Sequence, residues 1–523
     1  MGELRETGGP AGQAAGTRGG EAPAPSREVA GALAWSLVAK LLVSLLALVS
    51  NVLIVRGLGE DAYGVYSIFL NIAHFLALVI GLGLSQTVLQ FLPEVRVRRD
   101  VLGARQLLWR GLGLQLLGWL LVLAAVYPLR GWLGGLFHAD LRQVLPLGTA
   151  LLLLECLWTW VGSFYTAMRK MGWLTLASVV QKVVLIALLA LLVRVGLDVA
   201  SVLLVVAGSF FAGLLLLGPG LPGLLTWNGG GERTGLPFGR HMRYGLAIAL
   251  GASINQILWR SSETLFIGHF RLPADAGFYN AAYNLAQMVL EFVPLAIWPV
   301  ILAVLSETHA IRGENLLRGT RLYFRLIFVL VVPVALTGSV LGGQVYQVLY
   351  GAAMAPGAPL CQMLFLVLLV GFIPTPLRMA LFVKERALTN AAVLGAGAVV
   401  NIALDLLLIP RYGIWGGAWA VAVALVFTGA LQIAVTRRIL PGVEVPWAHL
   451  GRVLAGSAVV LPLWFVRSSL GQPVPLLAAL IVGTGAQFLL LRRLRVFGSE
   501  EAELMLRSRL PFRKWIVRLL GRS

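Results

Sequence analysis

The sequence predicts an all-α polytopic membrane protein of about fourteen transmembrane helices, built as two parallel-repeat six-helix lobes plus two extra C-terminal helices. Three observations predict it. The first is hydropathy: of 523 residues, 58% are hydrophobic and only 12% charged, too little polar surface to cover a soluble core of this size. The second is the placement of positive charge. The amino terminus, alternate loops and the carboxy terminus carry 29 of the 42 Lys and Arg residues, and the opposite set of loops carries 7. That is the positive-inside pattern, with both ends cytoplasmic. The third is a self-resemblance at an offset of 213 residues, in which Gly64-Val65-Tyr66 recurs as Gly277-Phe278-Tyr279 and Asn71-Ile72-Ala73 as Asn284-Leu285-Ala286. Six spans separate the copies, so both have the same orientation in the membrane.

The elements follow in order. Residues 1–30, rich in Gly, Ala and Pro with charges of both signs, predict a disordered cytoplasmic tail. Apolar runs of the ~20 residues needed to cross a bilayer fall at 31–55, 63–93, 105–127, 144–167, 172–194 and 198–223, giving an N-lobe over 31–225. A cytoplasmic linker takes 226–243. Runs at 244–268, 277–305, 321–343, 357–383, 388–410 and 413–436 form a C-lobe over 244–437. Spans 13 and 14, at 449–467 and 475–491, lie within 438–495 and have no counterpart in the repeat. Residues 496–523 read as an amphipathic cytoplasmic segment. There Trp515, Ile516 and leucines alternate with arginines, which suits a helix on the membrane surface or a solvated basic tail.

Composition also excludes classes. The formal charge of +19 is topological and implies no nucleic-acid partner. Cys156 and Cys361 sit within spans, where a free thiol packs as a small hydrophobe. The six histidines lack ligand spacing, so no metal site is expected.

Polar groups in hydrocarbon are costly, and their arrangement is the best guide to function. Span 1 carries Ser36, Lys40, Ser44 and Asn51 on one face, and span 7 carries Ser253, Gln256, Arg260 and Glu263. Span 2 carries Ser67, Asn71 and His74, while span 8 carries Asn280, Asn284, Gln287 and Glu291. These four stripes imply one shared polar cavity between the lobes, with helix-to-helix hydrogen bonding as the alternative. Of the intramembrane cations, Arg110, Arg325 and Arg378 lie close enough to the cytoplasmic ends to snorkel. Lys40, Lys182 and Arg260 are deeper. Lys182 faces a potential partner in Glu155, and Arg260 in Glu263. Lys40 has no acid nearby on its own helix, which makes it the best candidate for an anion ligand. Glu291, mid-span, suits a proton carrier or a permanent partner of Lys40 or Arg260. Asp405, four residues after Asn401, is placed to pair with Arg411.

The stretch from Asn401 to Ala418, NIALDLLLIPRYGIWGGA, resembles the span 11 to 12 signature of polysaccharide-transporter flippases. These are O-antigen-type lipid-linked oligosaccharide flippases, of one superfamily with multidrug and toxin extrusion transporters and the lipid II flippase. In it Pro410 is expected to end one helix, Gly413 to permit the tight outer turn, and Gly416-Gly417-Ala418 to let the next helix pack closely. The run Arg56 to Tyr66 resembles the family's turn after span 1. Gly81-Leu-Gly-Leu84 with Phe91-Leu-Pro-Glu94 resembles the end of its span 2. Asp405 departs from the family, which often has an uncharged polar residue there.

The resemblance implies a V of two lobes working by alternating access in a bacterial or archaeal cytoplasmic membrane, for cell-surface polysaccharide biosynthesis (O-antigen, lipopolysaccharide or exopolysaccharide). Its substrate would be an oligosaccharide on undecaprenyl pyrophosphate, and its partners membrane lipids and glycan polymerase or export machinery. On this sequence Lys40, Arg260 and Lys182 would hold the pyrophosphate, with Asn71, His74, Asn284 and Gln287 also binding substrate. Glu291, Glu263 and Asp405 would couple transport to a proton or sodium gradient. No catalytic residue and no bound cofactor are expected. An ion-coupled organic-cation exporter of the same superfamily is the alternative. A membrane glycan polymerase or ligase fits less well, because the longest outer loop, 128–143, offers only Arg130, His138, Asp140 and Arg142.

Overall fold

The computed structural model describes residues 27–138, 141, 144–194, 196–224, 239, 245, 246, 262–311, 315–384, 386–494 and 496, with side chains from 40 to 292 and from 316 onward among them. The predicted tail up to 26, nearly all of the linker, Arg260 with the rest of its stripe above Glu263, and the amphipathic segment beyond 496 lie outside these residues. The described chain is helical, with no strand among the described residues. Eleven stretches in it are long and apolar enough to cross a membrane. The count of fourteen is not established by them: one stretch, Lys40–Val97, holds two of the predicted spans, and predicted spans 7 and 8 are not among the eleven.

The first six helices are α1 (Arg27–Gly81), α2 (Leu84–Val97), α3 (Val101–Leu136), α4 (Val144–Ala167), α5 (Met171–Leu192) and α6 (Val199–Leu217). Spans 1 and 2 share one hydrogen-bonded helix, α1. It is interrupted only by the non-helical backbone of Gly59, at φ 73° and ψ −178°. A straight helix of 55 residues would run ~80 Å, far beyond ~30 Å of hydrocarbon. The kink at Gly59 divides it, and glycine tolerates that left-handed φ without a Cβ clash. Span 2 is broken in turn at Leu82–Gly83, so its last part is α2. Local chemistry starts the helices that follow. The Asp100 carboxylate accepts from the Gly103 N–H at 3.0 Å, and Asp198 and Ser201 cap α6 reciprocally.

The second set is α7 (Ser262–Phe270), α8 (Pro273–Ile311), α9 (Asn315–Tyr350), α10 (Ala358–Phe372), α11 (Thr375–Val383), α12 (Ala387–Tyr412) and α13 (Ile414–Ile439). Span 10 is thus two helices, divided at Ile373–Pro374, where proline withholds a backbone donor. Pro410 does not end α12. The helix continues to Tyr412 and stops at Gly413, whose φ is 56°. α13 then turns back close to α12, because Gly416 has no Cβ to strike the Leu408 carbonyl 2.4 Å from where one would sit.

Helices α14 (Trp447–Ser457) and α15 (Pro473–Arg493) follow, separated by short 3-10 turns around Pro462. They pack on each other and on α9. One side chain ties the three together: Gln487 donates to the Pro333 and Ser457 carbonyls at 3.3 and 3.1 Å and accepts from Thr337 at 3.1 Å. In the N-lobe Gln181 donates to Ser209 at 2.9 Å and joins α5 to α6 in the same way. The core runs through both lobes, with Tyr63, Phe69, Tyr279, Phe324 and Phe328 fully enclosed.

Candidate functional site

The lobes meet along α1 and α8, each of which also packs within its own lobe. They meet most closely at the end that holds the Gly59 kink. Gly64 and Gly277, partners in the repeat, touch there: a Cβ on Gly277 would lie 3.0 Å from the Gly64 Cα, and one on Gly64 would strike the Pro273 carbonyl. Beside them the Tyr63 hydroxyl donates to Asn280 Oδ1 at 3.3 Å, and the Tyr350 hydroxyl donates to Asn51 Oδ1 at 2.9 Å. Every residue from 276 to 283 on α8 is buried.

Towards the other end the contact loosens. Asn284 and Val289 on α8 are exposed and Glu291 is half-buried, while on α1 burial at Ile54 and Val55 gives way to exposure at Leu45, Leu42, Leu41 and Lys40. Burial on both helices thus falls off away from the Gly64–Gly277 contact. Along this part of α8 the polar side chains form a ladder in which Asn284 donates to Asn280 at 2.7 Å and Gln287 donates to Glu291 at 2.7 Å.

The other predicted groups are distributed as follows. Lys40 is exposed on α1. Asn71 is fully buried and donates to the Ser67 carbonyl at 2.8 Å, and Ser67 donates to Gly64. This placement favours packing over substrate contact for that part of the span 2 stripe. His74 is half-buried. Lys182 and Glu155 are half-buried and attract each other electrostatically, without closing to the 4.0 Å of an ion pair.

A second polar site lies inside the C-lobe. Asn401 is fully buried, and its amide donates to Glu263 Oε1 at 2.7 Å, Ser262 Oγ at 3.0 Å and Asp405 Oδ2 at 3.3 Å. Glu263 and Asp405, 2% and 0% exposed, are therefore held together by one amide. Asp405 Oδ1, Asn401 Oδ1 and the Tyr279 hydroxyl, which senses both acids, are buried without a hydrogen-bond partner. Gly417 completes the wall, since a Cβ there would lie 3.2 Å from the Tyr279 ring and 3.5 Å from Glu263 Cβ. Asp405 does not pair with Arg411: six residues along a helix is ~240° of rotation, and Arg411 is exposed. Sequence reasoning named both acids and noted Asn401 four residues before Asp405, but gave Asn401, Ser262 and Tyr279 no part in a site. The i, i+4 spacing of Asn401 and Asp405 was the available signal.

The family model described as "Polysaccharide biosynthesis protein" matches residues 30–309. No curated protein sequence matches. Among solved structures, the lipid II flippase MurJ in an inward closed conformation superposes with a TM-score of 0.64 at 13% identity, covering 88% of this chain and 98% of its own. An inward-facing multidrug resistance MATE family transporter of the MOP superfamily gives 0.60 at 14%, covering 76% and 94%. A MOP superfamily transporter from Pyrococcus furiosus, described as having a binding pocket of reversed polarity, gives 0.57 at 14%, covering 77% and 93%. At such identities the likeness is one of fold, that of a multi-pass membrane transporter.

Proposed function

Because the chain belongs to the polysaccharide biosynthesis protein family, we propose that it is a flippase that carries an undecaprenyl-pyrophosphate-linked oligosaccharide across a bacterial or archaeal cytoplasmic membrane. The family match carries this reading; in our account the Gly64–Gly277 end is the outer one, and the falling burial along α1 and α8 marks a cleft that widens inward. In our account both chain ends are cytoplasmic, as the 29-to-7 distribution of Lys and Arg favours. Lys40, on the exposed inner half of α1, meets the pyrophosphate as it enters, with Arg260 and Lys182 as further cations. Asn284 and Gln287 supply hydrogen bonds from the α8 wall, and the polyprenyl tail stays in lipid.

The coupling ion belongs to the C-lobe site in this account. Two carboxylates that share one amide in a dry interior need a proton or a cation to balance their charge. Glu263, Asp405, Asn401 and Ser262 supply only oxygen donors, the set a hard monovalent or divalent cation takes. Sodium or a proton bound there as co-substrate would bias the lobes between their two orientations.

The same acids give the organic-cation exporter its one favourable observation. A competition experiment separates the two readings. Purified protein in nanodiscs should bind undecaprenyl-pyrophosphate-linked oligosaccharide and undecaprenyl pyrophosphate in preference to the uncharged alcohol, and Lys40→Ala should weaken both by roughly tenfold, the loss of one charge-assisted contact. Tight binding of lipophilic cations, with none of the pyrophosphate, would favour the exporter.

A further inference from the structure

Two cross-lobe contacts at the outer end obey the repeat. Arg56, in the N-lobe part of α1, donates through Nε to the Leu349 carbonyl at 2.7 Å and through a terminal nitrogen to the Val348 carbonyl at 2.6 Å. These are the last carbonyls of α9, in the C-lobe. His269, near the end of α7 in the C-lobe, places Nδ1 2.8 Å from the Leu136 carbonyl, the last of α3 in the N-lobe. The 213-residue offset relates Arg56 to His269 and Leu136 to Leu349. It also relates Gly64 to Gly277, which touch each other between the two contacts. A carbonyl only accepts, so Nδ1 of His269 carries the proton and donates.

From this geometry we propose that Arg56 and His269 are the paired latches of the outer gate, each lobe capping the C-terminal end of the other lobe's third helix. The inference rests on the reading of the chain as an alternating-access transporter, and needs no assumption about its substrate. The last carbonyls of a helix have no partner within it and carry the negative end of its dipole. A donor or cation from the opposite lobe satisfies them only while the lobes are together. Arg56 is exposed and His269 half-buried, so water replaces the lost hydrogen bonds when the lobes part. The contacts therefore hold the outer side shut reversibly. Their symmetry makes one rocking motion break both together, and Tyr63–Asn280 and Tyr350–Asn51 part in the same movement.

The test uses spin labels in a cysteine-free background (Cys156→Ala, Cys361→Ala), with double electron–electron resonance on protein in nanodiscs. One label pair, at Leu129 and Tyr412, reports the outer ends of the two lobes; a second, at Met171 and Leu388, reports the inner ends. All four positions are exposed. His269→Ala should raise the outer open-to-closed ratio roughly tenfold, as expected for one hydrogen bond from a strongly polar donor, and Arg56→Ala, which removes two bonds from a charged donor, by at least as much. The double variant should raise it further, and the inner distance should shorten in the same population, which marks rocking of a folded protein. His269→Arg, which copies its counterpart, should stay closed. An outer distance unchanged in the double variant overturns the proposal. So does outer broadening without inner shortening, since the contacts would then support local folding alone. Failure to move a lipid-linked glycan would sink the proposed substrate and leave this gate standing.

Discussion

Asn401 spreads its two amide hydrogens over Glu263, Ser262 and Asp405, and this sharing makes two buried acids tolerable in one place. Asn401→Leu keeps the volume and removes the donors, so both acids lose a bond they cannot replace. The expected cost is about 1–3 kcal/mol, seen as a thermal midpoint several degrees lower in detergent. Glu263→Gln with Asp405→Asn should instead leave a folded protein whose transport no longer responds to a sodium or proton gradient. Retained coupling in that variant would remove the ion from this site. Both acids were visible in the sequence as charges in apolar runs. Their meeting was not, because residues about 140 positions apart touch only once α7 and α12 pack. Asp405 was for the same reason matched to Arg411, a neighbour along the chain on another face of the helix.

Length and hydropathy predict where an element lies better than where it breaks. The break at Gly59 falls in the turn expected between spans 1 and 2, but the interruptions at Leu82–Gly83 and Pro374 fall inside apolar runs. A break that costs only one or two hydrogen bonds leaves no trace in hydropathy. The glycines were legible as close-packing positions, and Gly416 and Gly417 do bring α13 against α12 and α7. Gly417→Val would press on the Tyr279 ring and on Glu263 Cβ, and should lower both thermal stability and transport. The docking of α14 and α15 depends on one buried amide, which no pattern singled out. Gln487→Leu frees the Pro333 and Ser457 carbonyls and should cost about 1–3 kcal/mol. Earlier exchange of α15 amides, with α4 and α5 unaffected, is the expected signature.

For the molecule as a whole, the two features that predicted the architecture act over long distances. The Lys and Arg asymmetry accumulates over every loop, and the repeat keeps its register over an entire helix. Both survive large errors at single residues, which is why the fold was legible when the meeting of Glu263, Asn401 and Asp405 was not. The same repeat underlies the outer closure, where Gly64 meets Gly277. A Gly277→Val side chain would be forced against the Gly64 backbone and should hold the outer ends apart, exposing α8 positions 276–283 to impermeant thiol reagents in single-cysteine variants. In the native chain that segment is buried and should stay unreactive until the lobes rock.

The central claim is that this cleft carries a lipid-linked glycan. Purified protein would be reconstituted in liposomes loaded on one leaflet with fluorescent undecaprenyl-pyrophosphate-linked oligosaccharide, and arrival on the other leaflet followed with an impermeant quencher. The account predicts translocation above protein-free liposomes, collapsing in a Lys40→Ala/Arg260→Ala double variant that still folds. No translocation of the glycan lipid, with uptake of an organic cation in the same liposomes, would contradict it.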